Sequence, residues 1–507
     1  MNRIYVMMMM SFVLILSNSC TDLEKDLGSN LTKEESLKLV NARQLINGNY
    51  QSLQAFATQD NVWALEEHSS DEVIGPTRGG DWDDNGVWRV LHTHDWANDN
   101  NFILNTFNDL SGGVFGSIEA LEVAEGAERG EALFLQAWFV YYLNDLFGQV
   151  AFRDNLDDLT EPSTVLNSQE ATDLVIANLE EAIELLPVDS QLDRANKNTA
   201  RTFLAKVLLN KAVYYDEDRI GPFSFNNEDL NRVVDLADAV ISSGPYSLET
   251  GENYYDNFKP TNAQDGSELI FVQSNTRGLA GGNVASRYLM TLHYNQNPGG
   301  WNGFTTIADF YNKFDENDVR RNTDYTGLTD VSGLKAGFLK GQQYDAEGNA
   351  LEDRLGNPLS FTLESPIISE GDLVEVSGVR GLKYIPDFEN ITVPETDYVL
   401  LRYSDLLLTK AEALLRLGQE SQALQIVNNI RTARNVDPLS SLSEQELLDE
   451  RGRELWWEGH RRTDQIRFGT FLDAWNQKDE SADNKVLFPI PERAVANNPN
   501  LTQNPGY

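Results

Sequence analysis

The segment LLLTKAEALLRLGQESQALQIVNNIRTA, Leu406–Ala433, decides the architecture of this chain. Ala411, Leu414, Ala423, Val427 and Ile430 recur three and four positions apart on either side of Gly418, as amphipathic helices require. The small residues among them let two antiparallel helices pack closely. The stretch predicts a helical hairpin.

That spacing of small and large residues is the one used by tetratricopeptide units. Thr199–Ala212 has the look of the first helix of a similar pair, with Thr199–Val213 and Glu228–Ile241 as its two members. The period is too irregular for a clean repeat array, so the hairpins are expected within one globular body. Glu131–Phe147 is apolar almost all round and predicts a buried helix, with Gly148 placed to end it in a left-handed cap. Ser168 is expected to cap a further helix stopped by Pro187. Ser443 and Glu446 make a capping box ahead of Leu447 and Leu448.

Between the helices lie two loop-rich stretches, Val62–Asn101 and roughly Gly244–Pro394. Long stretches without periodicity are usually functional when a rigid scaffold carries them. A short hairpin is expected around Gln342–Phe361, with Gly348–Asn349 and Gly356–Asn357 at its turns. Glycines surround Trp82 (Arg78–Gly79–Gly80–Asp81–Trp82) and Trp301 (Gly299–Gly300–Trp301–Asn302–Gly303), leaving each few apolar neighbours of its own segment. An exposed indole suits the C–H face of a sugar ring, and flanking Asp, Asn and Arg can bond hydroxyls. Trp82 and Trp301 are therefore read as ligand contacts, Trp88 and Trp96 as core.

Composition excludes several other functions. The 507 residues carry 79 Asp+Glu against 40 Lys+Arg, a net charge of -39. That field repels polyanions, so nucleic acid is not an expected partner and a neutral ligand is. No phosphate loop, HExxH or nucleophile elbow is present. His92 and His94 lack a third metal ligand at useful spacing and are read as hydrogen-bonded structural residues. Carboxylate pairs are plentiful and none stands out. The charges of Arg451–Asp464 are read as an ion-pair network holding helices together. No catalytic residue, cofactor or metal is assigned.

The N-terminus reads as a secretory leader: Arg3, then the mainly apolar Ile4–Leu16, then Ser17–Asn18–Ser19–Cys20. Cys20 is the only cysteine, and the tract before it resembles a lipobox in which Cys20 becomes the acylated first residue of the mature chain. The expected organisation is a signal peptide over 1–19 and one domain over 20–507. That domain comprises an N-terminal helical part (20–243, with a binding loop at 62–101), a loop-rich insertion (244–394) and a C-terminal helical part (395–507).

Four ordered motifs resemble the SusD/RagB family of outer-membrane nutrient-binding lipoproteins of Bacteroidetes. They are Arg129–Trp138 running to Gly148, Tyr403–Ala413, the charged set from Glu450 to Asp464, and the tail Phe488–Pro491 with Gln503–Tyr507. The resemblance implies a mostly α fold, with tetratricopeptide-like hairpins as scaffold, a loop-rich ligand-binding face and short β-hairpins. It implies a lipid-anchored protein of the outer membrane facing the cell exterior. Such a protein captures a glycan and delivers it, as a lid, to a SusC-like TonB-dependent transporter. The Glu66–Trp96 stretch, with Asp71, Arg78, Asp81 and Trp82, resembles the binding loop of members that take fructans or β-glucans. Arg380 falls where such members place a polar ligand contact. With Trp301 and Asn302 these complete the expected ligand-binding set, and Cys20 the lipidation site. The alternatives are a surface glycoside hydrolase, or a peptide-binding or protein-interaction member of the same fold.

Overall fold

A computed structural model describes residues 41–79, 82, 86–279 and 283–507. The signal peptide, Cys20 and Asp81 lie outside the described residues. Ala42–Tyr507 forms one unit, and it is mostly helical.

Two helices open the body, α1 (Ala42–Gln51) and α2 (Val62–Glu67). The scaffold proper begins with α3 (Asn101–Leu121) and α4 (Gly126–Phe147). Nearly every side chain of α4 from Gly130 on is buried, as its all-round apolar pattern requires. Its Trp138 lies 4.6 Å from Phe203 and 5.6 Å from Phe56, ring centre to ring centre. Emptying such a position costs about 3–5 kcal/mol. The helix ends as expected at Gly148, whose φ of 70° is left-handed.

A two-stranded ribbon, β1 (Gln149–Phe152) and β2 (Thr164–Asn167), leads into α5 (Ser168–Leu185). The cap of α5 differs from expectation by one residue. Asn167 and Glu170 form the capping box, and the Ser168 hydroxyl instead donates to the Tyr214 carbonyl at 2.7 Å. Asn carries a side-chain oxygen that reaches the N3 amide as well as serine does, so the box moved back one place. Helices α6 (Lys197–Tyr214) and α7 (Asn227–Ser243) follow.

The loop-rich insertion leaves after α7 and returns through a closed gate. Strand β3 (Leu269–Gln273) pairs antiparallel with β9 (Tyr398–Arg402). That pairing brings α8 (Tyr403–Arg416) against α7, and α8 packs in turn on α9 (Glu420–Ala433). Consecutive neighbours from α3 to α9 thus stack as hairpins although more than a hundred residues separate α7 from α8. Within the insertion, β4 (Asn322–Thr323), β5 (Ala336–Leu339) and β8 (Arg380–Leu382) make a small sheet. Strands β6 (Gly341–Gln342) and β7 (Ser360–Phe361) form the expected hairpin, with Asp345 and Asp353 closing its two turns onto Asn349 and Asn357.

Two more helices follow, α10 (Glu444–Leu455) and α11 (Arg461–Arg467), before the short helix Glu492–Asn497 near the C-terminus. The Ser443–Glu446 capping box is present. The charges of this region form a buried network that extends beyond the helix itself. Glu454 accepts from Arg320, Arg402 and Arg434, and Arg402 and Arg434 also reach Glu268. Guanidinium and carboxylate groups therefore tie α10 to the insertion, to β9 and to α9. His92 and His94 are buried and bonded to the carbonyls of Val73, Asn476 and Ser69, the structural role expected.

Candidate functional site

Trp301 lies at the centre of the candidate site. It is 40% exposed, an unusual position for the largest apolar side chain. The loop beneath it is held by its own backbone. Trp301 and Asn302 amides donate to the carbonyls of Leu289 and Leu292, and Gly303 and Phe304 amides both donate to Met290. Asn302 takes a left-handed φ of 54°, which asparagine tolerates better than most residues.

Side chains from distant segments close on this loop. Short bridges pair Ile74 with Thr305, Arg78 with Ile368, and Thr306 with Val379, bringing Arg78 and Arg380 under it. Arg78 donates to the Asn302 carbonyl at 2.5 Å and to the Ser377 carbonyl at 3.3 Å. Arg380 donates to Asn302 Oδ1 at 2.8 Å and to the Ser377 carbonyl at 2.6 Å. Burial, and then the neighbouring Arg78, hold Arg380 well below the usual guanidinium range. The Trp82 indole N–H donates to the Trp301 carbonyl at 2.8 Å.

Four of the expected contacts, Trp82, Arg78, Asn302 and Arg380, therefore meet Trp301 in one place, but from below. Trp82 is 8% exposed, not displayed on a platform. Its ring packs on Phe304 and Trp88, and Gly303 leaves room for it, since a Cβ there would collide with the indole. The glycine that makes this room flanks Trp301, so the composition that exposes one tryptophan lets the other be buried beneath it. Trp88 and Trp96 are core as expected.

Asp71 departs furthest. Both its carboxylate oxygens are taken by Arg461, at 2.6 and 2.9 Å, in a buried bidentate pair. Burial alone would raise its pKa; Arg461 outweighs that and holds it below the usual range. A carboxylate buried and paired in this way is not presented to a ligand, and its place in the chain gave no hint of a partner 390 residues on.

Sequence reasoning missed a cluster that begins at His293, whose carbonyl accepts from the Gly300 amide of the Trp301 loop. Arg354 lies over the Tyr294 ring at 4.0 Å and bonds Glu375, which in turn holds buried His293 at 2.9 Å. Burial pulls His293 down to about 4 despite Glu375, so the ring is neutral at ordinary pH. Tyr344 on the hairpin is 48% exposed. The one available signal was aromatic residues in a polar, glycine-rich context, and it was applied only to tryptophan. Among the described residues no group of histidine, cysteine and carboxylate side chains could hold a metal.

Fold and site together define a class: a scaffold of stacked helical hairpins whose long insertion carries an exposed tryptophan, Trp301. Comparison with known proteins takes this to a family. The SusD family model matches residues 250–486, and a model described as starch-binding, associating with outer membrane, matches 23–209. The starch-binding protein SusD of Bacteroides thetaiotaomicron is 27% identical, over 75% of this chain and 73% of that protein. A SusD superfamily protein from Parabacteroides distasonis shares the fold with a TM-score of 0.71 at 20% identity, covering 94% of this chain and all of the other. A laminarin-binding SusD-like protein does so with a TM-score of 0.68 at 18% identity, covering 92% and 99%. The chain is a SusD-like family protein.

Proposed function

We propose that this chain captures a glycan through the Trp301 face and delivers it to a SusC-like TonB-dependent transporter, acting as its lid. The reading continues with a lipid anchor at Cys20 and a position on the outer membrane facing the cell exterior. It is a binding role with no chemistry assigned.

One observation carries the glycan part. The exposed Trp301 indole stands on a loop whose backbone and side chains are almost fully bonded, so little order has to be created on binding. A flat, exposed apolar face fits the C–H face of a pyranose. The net charge of -39 favours a neutral chain, a β-glucan such as laminarin or a fructan. The laminarin-binding relative supports the same choice. Stacking plus a few hydrogen bonds gives modest affinity, which suits release to a transporter.

Affinity electrophoresis through gels containing laminarin, inulin or an anionic polysaccharide tests the ligand class. Retardation by a neutral gel, abolished in Trp301→Ala, is expected; unaltered retardation of the variant would remove Trp301 from the site. Co-purification with a TonB-dependent barrel from detergent-solubilised outer membrane tests the partner.

A further inference from the structure

A second cleft, of about 560 Å3, opens between β4, β5 and β6. In a chain so acidic its lining is unusual: Arg321, Lys335 and Lys340 face one carboxylate, Glu316. Lys335 is paired with exposed Asp324 at 3.2 Å. Neither Arg321 nor Lys340 has an ion-pair partner among the described residues. Both instead lie over one ring, that of Tyr311, at 4.8 and 5.4 Å from its centre.

We propose that this cleft binds a sugar residue bearing an oxyanion, a carboxylate or a sulfate ester. Two like charges near one ring repel each other, and an oxyanion that enters the cleft they both line offsets that repulsion and gains charge-assisted bonds. Tyr311 adds a third donor. It is 94% buried by its 6% exposure, and its hydroxyl accepts from Arg321 Nε at 3.1 Å. The hydroxyl hydrogen therefore remains to be given to a ligand. Tyr344, exposed at the rim, offers a ring face to the sugar itself. The cleft adjoins the Trp301 loop through the Gln296 Nε2 to Gln343 Oε1 bond, 3.2 Å. One chain with a neutral backbone and acidic substituents can thus engage both places. The proposal rests on residues separate from Trp301, and the two readings fail separately.

Calorimetry on the purified chain tests it with three probes: a galacturonate hexasaccharide, a sulfated carrageenan hexasaccharide and laminarihexaose. Binding of at least one charged probe is expected, weakening with added salt. K340Q and R321Q should each weaken it about tenfold, the worth of one charge-assisted contact, and leave laminarihexaose unaffected. Trp301→Ala should weaken laminarihexaose. Which charged probe binds identifies the oxyanion. Failure of the wild-type chain to bind either charged probe overturns the proposal, as does equal binding by K340Q. Lys340 is exposed, so its variant carries the test alone should R321Q not fold. Loss of laminarihexaose binding in the wild type would remove the neutral-glycan reading and leave this one standing.

Discussion

The indole N–H of Trp82 donates to the main-chain carbonyl of Trp301 at 2.8 Å, across 219 residues of sequence. One tryptophan is the support and the other the surface, so their variants should part. Trp301→Ala is expected to lower glycan affinity about 10- to 100-fold, the loss of roughly 1–3 kcal/mol of buried apolar area. Its thermal midpoint should barely move. Trp82→Phe keeps a ring in the core but removes the donor, so it should lower the midpoint and weaken the glycan only in part. Equal effects of the two on affinity, measured by calorimetry, would contradict this division.

Gly303 touches the same relationship from the other side. A Cβ there would meet the Trp82 indole, and the Met290 carbonyl oxygen at 2.5 Å. Gly303→Ala must therefore push the indole or the loop aside, at about 1–3 kcal/mol. Gly327, whose Cβ would meet nothing, has a positive φ of 86° and so strains only its own turn. Urea unfolding and glycan titration of both variants should show Gly303→Ala losing affinity and Gly327→Ala keeping it.

How much of this was legible in the chain depends on how far apart the interacting residues lie. The hairpin of Leu406–Ala433 and the buried helix ending at Gly148 were readable because periodicity and caps are local. The stacking of α8 on α7 was not, because it depends on β3 finding β9 across the whole insertion. The site divides in the same way. Composition pointed to the Trp301 loop, and the family resemblance to Arg78 and Arg380, but local glycine content could not say which tryptophan faces water. Asp71 failed for a related reason: its Arg461 partner comes from the far end of the chain.

The Arg/Glu network makes a sharper stability prediction than any single apolar residue. Glu454 is fully buried and accepts from three guanidinium groups. Its removal leaves those charges partly uncompensated in a site closed to water. Glu454→Ala is expected to cost about 3–5 kcal/mol. Lys410, paired at 2.5 Å with Asp238 at the surface, gives the contrast. Lys410→Ala should cost less than about 1 kcal/mol. Urea midpoints compare the two, and similar values would mean that the network is dispensable.

Beneath the site, Glu67 and Glu72 face each other in the core. The Gly459 amide donates to Glu67 and the Trp457 amide to Glu72, while Glu67 Oε2 receives no donor from the described residues. A proton held between the two carboxyls satisfies both. Burial pushes Glu67 up to about 7, against an ordinary 4.5, and Glu72 well above the ordinary range. A carboxyl raised in the folded chain stabilises it fully below pH 4.5, and that contribution is lost as pH rises through about 7. Each such carboxyl therefore contributes a fall between pH 5 and 7.5, opposed below about pH 6.5 by the buried histidines, whose pKa values burial lowers. Glu67→Gln, which mimics the protonated form, should make that fall shallower. Asp397, also raised to about 7 by burial, keeps part of the slope. The acid limb runs the other way: burial opposes it, yet Arg320 and its neighbours hold Glu450 near 2, so its contribution is lost as pH drops below 4.5. The measurement is the difference between Glu67→Gln and the wild-type chain in urea midpoint, taken from pH 3 to 8, because the histidine contribution is common to both. An unchanged slope above pH 5 in Glu67→Gln would show that the pair holds no shared proton.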